Sequence, residues 1–322
     1  IQVHLKSAYG AKLPLQRHGE GTQSLAVLML FQAFAAANLA EAYTPESTPI
    51  LALEEPEAHL HPSAIRSLGS LLESMSGQIL VSSHSGDLIS RVPVMSLRRI
   101  FKENGETRIG RVDKGLFTLR ELQAIDYSIR VARGHYLFSR CWLLVEGESD
   151  FHIMPLLFEV LGHAQDQISF SVLEISQVIE KGEPFMKFAS AMGIQWFMMA
   201  DGDQAGHDYV RRANNHLLSG EGVADRAQTL VHADIEHEFW HNGYDVFIAN
   251  MVSDVRKTQI ATEAAGDAAK KIELLIKAAI KQSGGKPAFA QALAAEVRQR
   301  GTSAVPQTIQ DVIARVVLLA GG

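Results

Sequence analysis

The sequence predicts an α/β protein whose functional groups stand at the ends of buried parallel strands. Three observations predict it. Two apolar runs, CWLLV at 141–145 and WFMMA at 196–200, stop abruptly at acids and a glycine, as parallel strands do where a sheet places its reactive groups. The spans around them alternate β-α-β-α-β, which calls for a parallel sheet with helices on both faces. An earlier pair of apolar runs, at 50–53 and 78–82, ends in the same way, in paired acids and in a histidine.

The 322 residues suffice for two domains, each with its own core. A hydrophobic content of 47% with 20% charged residues is that of a folded globular chain. The longest apolar run, at 25–39, is interrupted by Gln32 and Asn38, so no membrane segment is expected. A single cysteine, Cys141, excludes an internal disulfide framework and fits a cytoplasmic protein. No signal peptide is visible. The net charge of −6 argues against a broadly basic nucleic-acid coat and leaves a local basic groove open.

A short strand is expected at 1–5. Residues 17–24, RHGEGTQS, read as a polar turn running into a helix at 25–43. Gly19 and Gly21 with Thr22 and Ser24 fit either a phosphate site at a helix N-terminus or a well-capped helix start. The segment PILALEEPEAHLHP at 49–62 is a strand ending in Glu54 and Glu55, then a turn, then a helix from about 62. A second strand, read as buried, ends at His84. These residues resemble the Walker B strand, D-loop and switch histidine of ABC-type ATPases. The resemblance implies that Glu54 helps to hold Mg²⁺, that Glu55 is the general base toward water, that His84 reaches the γ-phosphate of ATP, and that the turn with Gly19 and Gly21 is the signature loop. It also implies a homodimer through this domain. No G-x-x-x-x-G-K-[ST] loop occurs, and the chain opens with Ile1, so it is expected to begin inside the ATPase domain.

Strand, turn and strand follow from 94 to 115, with Asn104-Gly105 at the turn, read as the closing edge of the ATPase half. An amphipathic helix at 118–134 carries Tyr127, Arg130 and Arg133, which fit either a DNA-facing or a solvated surface. Beyond lies the acidic centre. Glu146 follows the first strand, and Asp201 and Asp203 follow the second, with Gly202 allowing a tight turn between them. Carboxylates gathered at one sheet edge repel unless a cation neutralises them, and hard oxygen ligands suit Mg²⁺ or Mn²⁺. Ser149 is read as the cap of a helix at 150–162. Asp150 fits either the metal shell or the dipole of that helix. A further strand at 169–175, a helix at 184–192 and a fourth strand at 229–233 complete the sheet. The fourth strand ends at Asp234, Glu236 and Glu238, any of which is a candidate for a second metal position.

Glutamate after one apolar strand and D-x-D after another resemble a Toprim domain, and an ABC-type half followed by Toprim resembles the OLD (overcoming lysogenisation defect) nucleases over about 17–245. The resemblance implies a metal-dependent DNA endonuclease that uses two ions, coupled to an ATPase in the full-length protein. Glu146 and Asp150 would hold one ion with Asp201, while Asp203 and Glu236 would serve the other. The expected organisation is 1–137, the C-terminal part of the ATPase domain; 138–250, the Toprim domain, a Rossmann-like parallel sheet; and 251–322, a helical lobe with helices at 260–281, 287–298 and 308–319. Residues 241–322 carry ten Lys and Arg against seven Asp and Glu, so this lobe is mildly basic. In it KPAFA at 286–290 matches a segment whose lysine is implicated in catalysis in the family. That makes Lys286 a catalytic candidate, against the plainer reading of a surface lysine before a helix.

Two functions remain from the sequence, the nuclease and an ATP-switched DNA-binding protein with a non-cleaving Toprim domain. Primase activity would need a zinc module, for which one cysteine is too few, and none of the six tyrosines stands in a recognisable topoisomerase context.

Overall fold

The computed structural model describes residues 3–6, 10–34, 50–75, 77–132, 134–175 and 182–321. Arg133, the first two residues of the strand expected at 1–5 and the end of the helix expected at 25–43 lie outside them. The chain divides into two compact units, residues 1–97 with 126–137 and residues 98–125 with 138–322. Among the described residues no helix is long and apolar enough to cross a membrane.

In the first unit β1 (His4–Lys6) pairs antiparallel with β2 (Lys12–Pro14), and helix α1 spans Glu20–Phe34. This helix starts five residues before the expected position, so Gly21, Thr22 and Ser24 lie inside its first turns and neither hydroxyl is its cap. β3 (Ile50–Glu54) pairs in parallel with β4 (Gln78–Ser82), Glu54 opposite Ser82. Helix α2 (Pro62–Ser74) follows β3; His61 caps it by accepting from Ser63 N, and proline stands at its first position, where its missing N–H costs nothing. The short helix α3 (Gly86–Ile89) follows β4. Leu28, Ile65, Leu68 and Leu88 form the core between the helices. The strands are not buried as expected: Ile50 is 66% and Leu80 53% exposed. Two parallel strands cannot cover both of their own faces.

In the second unit β5 (Arg98–Glu103) and β6 (Glu106–Arg111) form an antiparallel hairpin. Asn104 and Gly105 both take positive φ, 50° and 82°, as a two-residue hairpin turn requires. The hairpin, expected at the edge of the preceding domain, groups with the second compact unit. Arg99 donates to the carbonyls of Met192, Gly193 and Ser139, and Gly110 lies so close to Met192 that a Cβ would fall 2.6 Å from its backbone. Helix α4 (Leu119–Val131) begins with a reciprocal capping box between Thr118 and Glu121.

The centre of this unit is a four-stranded, all-parallel sheet in the order β10-β9-β7-β8, comprising β7 (Cys141–Val145), β8 (Phe170–Glu174), β9 (Gln195–Ala200) and β10 (Ala227–Thr229). β7 is buried at every position, which is why it reads as an unbroken apolar run. β10 ends earlier than expected, and residues 230–234 form the turn beyond it. Helix α5 (Glu148–Val160) follows β7, α6 (Gln165–Ile168) precedes β8, α7 (Glu183–Ala191) precedes β9, α8 (Gln204–Ala213) follows it, and α9 (Val223–Arg226) precedes β10.

Beyond β10 come α10 (Ile235–Phe239), a π-helical turn at Trp240–Tyr244, α11 (Asp245–Asn250), α12 (Asp254–Ala264), α13 (Ala268–Ser283), α14 (Lys286–Arg300) and α15 (Gln307–Leu319). The helix expected at 260–281 is broken at Ala265 and Gly266, both at positive φ. The terminal helices are no detached lobe: Phe289, Leu293, Val297, Ile309 and Val312 share one core with Leu143, Phe158, Phe170 and Phe197 of the sheet layer. Each such fully buried side chain contributes about 1.5–3 kcal/mol.

Candidate metal centre

The carboxylates of the second unit stand at the C-terminal ends of its strands because the register brings those ends level. Val145 pairs with Met199, so Glu146 and Asp201 leave adjacent strands side by side, and Asp201 N donates to Glu146 Oε2 at 3.3 Å. Asp234 and Glu236 enter from the turn after β10. Gly202 is needed there for proximity, not for a positive φ: its N–H donates to His232 O at 3.0 Å, and a Cβ would lie 2.3 Å from that oxygen.

Three helices start at this edge, and each engages one acid. Asp150 Oδ2 accepts from Gly147 N at 2.9 Å at the start of α5. Asp203 Oδ1 accepts from Gly206 N at 2.8 Å and caps α8. Asp234 Oδ1 accepts from both N and Nδ1 of His237, at 2.8 and 2.6 Å, at the start of α10. The positive ends of the helix dipoles thereby offset part of the mutual repulsion. Ser149 is not the cap of α5; Gly147 is, and the Ser149 hydroxyl donates to Glu236 Oε1.

The offset is incomplete. Asp150 is 3% exposed, and burial, followed by the charges of Asp201 and Glu236, pushes its carboxyl well above the ordinary range. Its Oδ1 is buried without a hydrogen-bond partner. Asp201 is pushed up to about 8, by burial first and then by Glu146, Asp234, Glu236 and Asp203. Glu236, 6% exposed, is raised by burial and by Asp234, against the opposing pull of Ser149 and Lys286. Asp234 goes the other way: burial opposes its ionisation, yet the two hydrogen bonds from His237 hold it below its usual value and raise His237 in turn. Among the described residues no three His, Cys, Asp or Glu side chains are gathered closely enough to close a coordination shell. The carboxylates repel one another without having converged on a point.

Lys286 opens α14, following Gly284 and Gly285, which take φ of 104° and 106°. Its ammonium lies 3.8 Å from Glu148 Oε2 at the rim of the cluster. Glu238, the third acid of that turn, faces away and accepts from Val231 N and His232 N. The sequence reading missed Asp234 as a full member, the Ser149–Glu236 contact and the Asp234–His237 pair. Only the i, i+3 spacing of Asp234 and His237 gave a signal, that of an N-cap.

In the first unit Glu55 and His84 come together, Nε2 to Oε1 3.4 Å, with both side chains largely exposed. Glu55 holds φ at 41°, an uncommon conformation for a non-glycine residue that costs on the order of 1–3 kcal/mol. Glu54 ends β3 and is exposed. Gly21 approaches the chain after β3 so closely that a Cβ would lie 2.6 Å from His59 O, and Glu20 pairs with His59 Nδ1 at 3.2 Å. Gly19, Gly21 and Thr22 line a concavity with His59 and His61, apart from the Glu55–His84 pair.

Residues 137–203 match the family described as Overcoming lysogenization defect protein-like, TOPRIM domain, and residues 11–135 match the family described as Protein of unknown function (DUF2813). The uncharacterized protein YbjD of Escherichia coli K12 is 31% identical over 311 residues, 96% of this chain and 54% of that protein. The Old nuclease of Escherichia phage P2 is 27% identical over 199 residues, 59% of this chain and 33% of the phage protein. The chain therefore spans about half the length of one relative and a third of the other. Among solved structures, the C-terminal region of the Burkholderia pseudomallei OLD protein is 20% identical, with a TM-score of 0.45, over 56% of this chain and 97% of that one.

Proposed function

Because this chain belongs to the OLD family, we propose that its strand-end carboxylates form the metal centre of a DNA endonuclease. One observation carries the reading: at the ends of neighbouring parallel strands, burial first and then the charges of the other acids push the Asp150 and Asp201 carboxyls upward, and Asp150 keeps a buried oxygen without a partner among the described residues. A protein retains such a cluster at a cost to its stability, and a bound cation would relieve that cost. Glu146, Asp150 and Asp201 would hold one Mg²⁺ or Mn²⁺, and Asp203 with Glu236 and Asp234 a second. Two such ions supply Lewis-acid stabilisation of the scissile phosphate and lower the pKa of the attacking water.

The residues of the chain do the rest. Ser149 orients Glu236 through its hydroxyl, and His237 orients Asp234 while adding positive charge beside it. Lys286 stands at the rim, where its ammonium would meet charge developing on a phosphate. In the longer protein, Glu54, Glu55 and His84 with the Gly19 to Gly21 turn would form part of an ATP site that couples to cleavage, in a homodimer joined through the ATPase domain.

Supercoiled plasmid incubated with the chain and Mg²⁺, Mn²⁺ or EDTA tests this reading. Nicked or linear product that requires metal, and that Asp201→Asn abolishes, is expected. The alternative that the same test separates is an ATP-switched DNA-binding protein with a non-cleaving Toprim domain. Metal-dependent binding that leaves the plasmid supercoiled would establish it instead.

A further inference from the structure

The first unit contains a cavity of about 610 Å³ that lies outside the ATPase-like motifs. Arginines from three separate elements line it: Arg66 on α2, Arg91 just beyond α3 and Arg130 near the end of α4. Among the described residues none of the three guanidiniums has a hydrogen-bond or ion-pair partner. Several other arginines, Arg108, Arg111, Arg212, Arg226 and Arg256, do each pair with an acid. Arg66, Ser70 and Glu73 follow one another at helical spacing and present one face of α2 to the cavity. Gly69 is buried on the same helix, and a Cβ there would meet the Arg91 stem at 3.3 Å, so this glycine lets Arg91 lie across α2. Glu73 and Asp87 also line the cavity, so its described residues carry three positive charges against two negative.

We propose that this cleft binds backbone phosphates of DNA, an assignment that rests on the nuclease reading for its choice of nucleic acid. Arginine matches phosphate oxygens with two parallel N–H donors, and an unpaired guanidinium has no internal partner to give up first. Among the described residues the lining contains no aromatic ring and, apart from two prolines, is polar or charged. A free nucleotide would find no surface for its base there, whereas a sugar-phosphate strand needs none. The cleft therefore positions DNA without reading its sequence.

The test measures anisotropy of a labelled 30-base-pair duplex in EDTA over a salt series, with plasmid cleavage run in parallel. The proteins are wild type, the Arg66→Ala/Arg91→Ala/Arg130→Ala triple and the corresponding triple to Lys. The alanine triple is expected to bind about tenfold or more weakly near 0.1 M salt, with a log–log salt slope shallower by about one per lost phosphate contact. The lysine triple is expected to recover the slope but not the full affinity, because its contacts are single. Arg91 packs on Gly69, so the Arg66→Ala/Arg130→Ala double, expected to lose about two from the slope, keeps the test valid if the triple fails to fold. An unchanged slope in a folded variant overturns the cleft, even where wild type cuts plasmid and the nuclease reading stands. Arginine-dependent binding of inorganic tripolyphosphate without arginine-dependent binding of the duplex overturns the DNA assignment. Arginine-dependent duplex binding by a protein that cuts nothing with either metal upholds the cleft and sinks the nuclease.

Discussion

Two pairs of adjacent parallel strands in this chain end in titratable groups, carboxylates beyond both β7 and β9, carboxylates beyond β3 and a histidine beyond β4, and their surroundings differ. β7 and β9 sit in the middle of a four-stranded sheet; beyond them Glu146 and Asp201 are half-buried beside the buried Asp150 and Glu236, while Asp203 is exposed. β3 and β4 form a pair of their own with apolar side chains open on their surface, and Glu55 and His84 beyond them are exposed. The same local pattern, apolar strand then acid, thus sets buried charges against one another in one unit and leaves them to the solvent in the other. Burial decides the difference, because the interaction of two charges scales inversely with the effective dielectric around them.

The largest expected effect follows from that contrast. Asp201→Asn removes a proposed ligand and a repelling charge together. Metal-dependent cleavage should fall by at least about a hundredfold, beyond the loss typical of groups that only orient a ligand. The metal-free variant should melt above wild type, since a buried charge disfavoured in the folded state has gone, and the rise in melting temperature that Mn²⁺ gives wild type should shrink or vanish. Calorimetry with and without EDTA reads both. A variant that melts lower than wild type in EDTA would show that Asp201 stabilises this edge more through its contacts than it strains it through its charge.

Next in size is Gly202→Ala. Its new methyl would meet two backbone carbonyls, of His232 and Leu230, which cannot move without shifting β10. A loss of about 1–3 kcal/mol in urea unfolding is expected. Gly19→Ala is the matched control in the exposed site: nothing lies within 4 Å of that position. Its stability should be unchanged within about 0.5 kcal/mol.

How much of this was legible depended on whether the information is local. β7 and β9 were readable with their end points because a strand buried on both faces has no polar residue to interrupt it, and the placement of Glu146, Asp201 and Asp203 at one edge followed. The hairpin at 98–111 was legible as a hairpin and not as a member of the second unit. Its anchors, Arg99 to Met192 and Gly193, lie more than ninety residues away and leave no local trace. Ser149 looked like a cap by its position before Asp150, yet its hydroxyl serves Glu236, eighty-seven residues on. The break at Ala265 was missed because alanine seldom takes positive φ, and Gly266 alone was a weak signal.

A third way to sharpen the comparison uses an acid whose burial is offset. Glu183 accepts from Arg212 and from His216, and although burial works against ionisation, these bonds outweigh it and lower its pKa. A carboxylate depressed on folding contributes stability above its unfolded pKa and loses it as pH falls through the folded one. Glu183→Gln should therefore cost about 1–2 kcal/mol at neutral pH, and the gap to wild type should close as pH drops below about 4. A gap independent of pH would mean that packing, not charge, is what the residue supplies.

The smallest effect is the one that isolates the exposed site. Among the described residues the Glu55 carboxylate has only the exposed His84 as partner, and its backbone at φ 41° is strained for any residue but glycine. Glu55→Gln keeps the shape and the strain and removes only the charge. Melting temperature should stay the same, because an exposed pair of this kind contributes little. Glu55→Gly should raise stability slightly, by about 1 kcal/mol at most, since glycine adopts that φ without cost. If Glu55→Gln instead lowers the melting temperature by several degrees, the β3–β4 end is covered in solution, and its acids belong to the same buried class as those beyond β7 and β9.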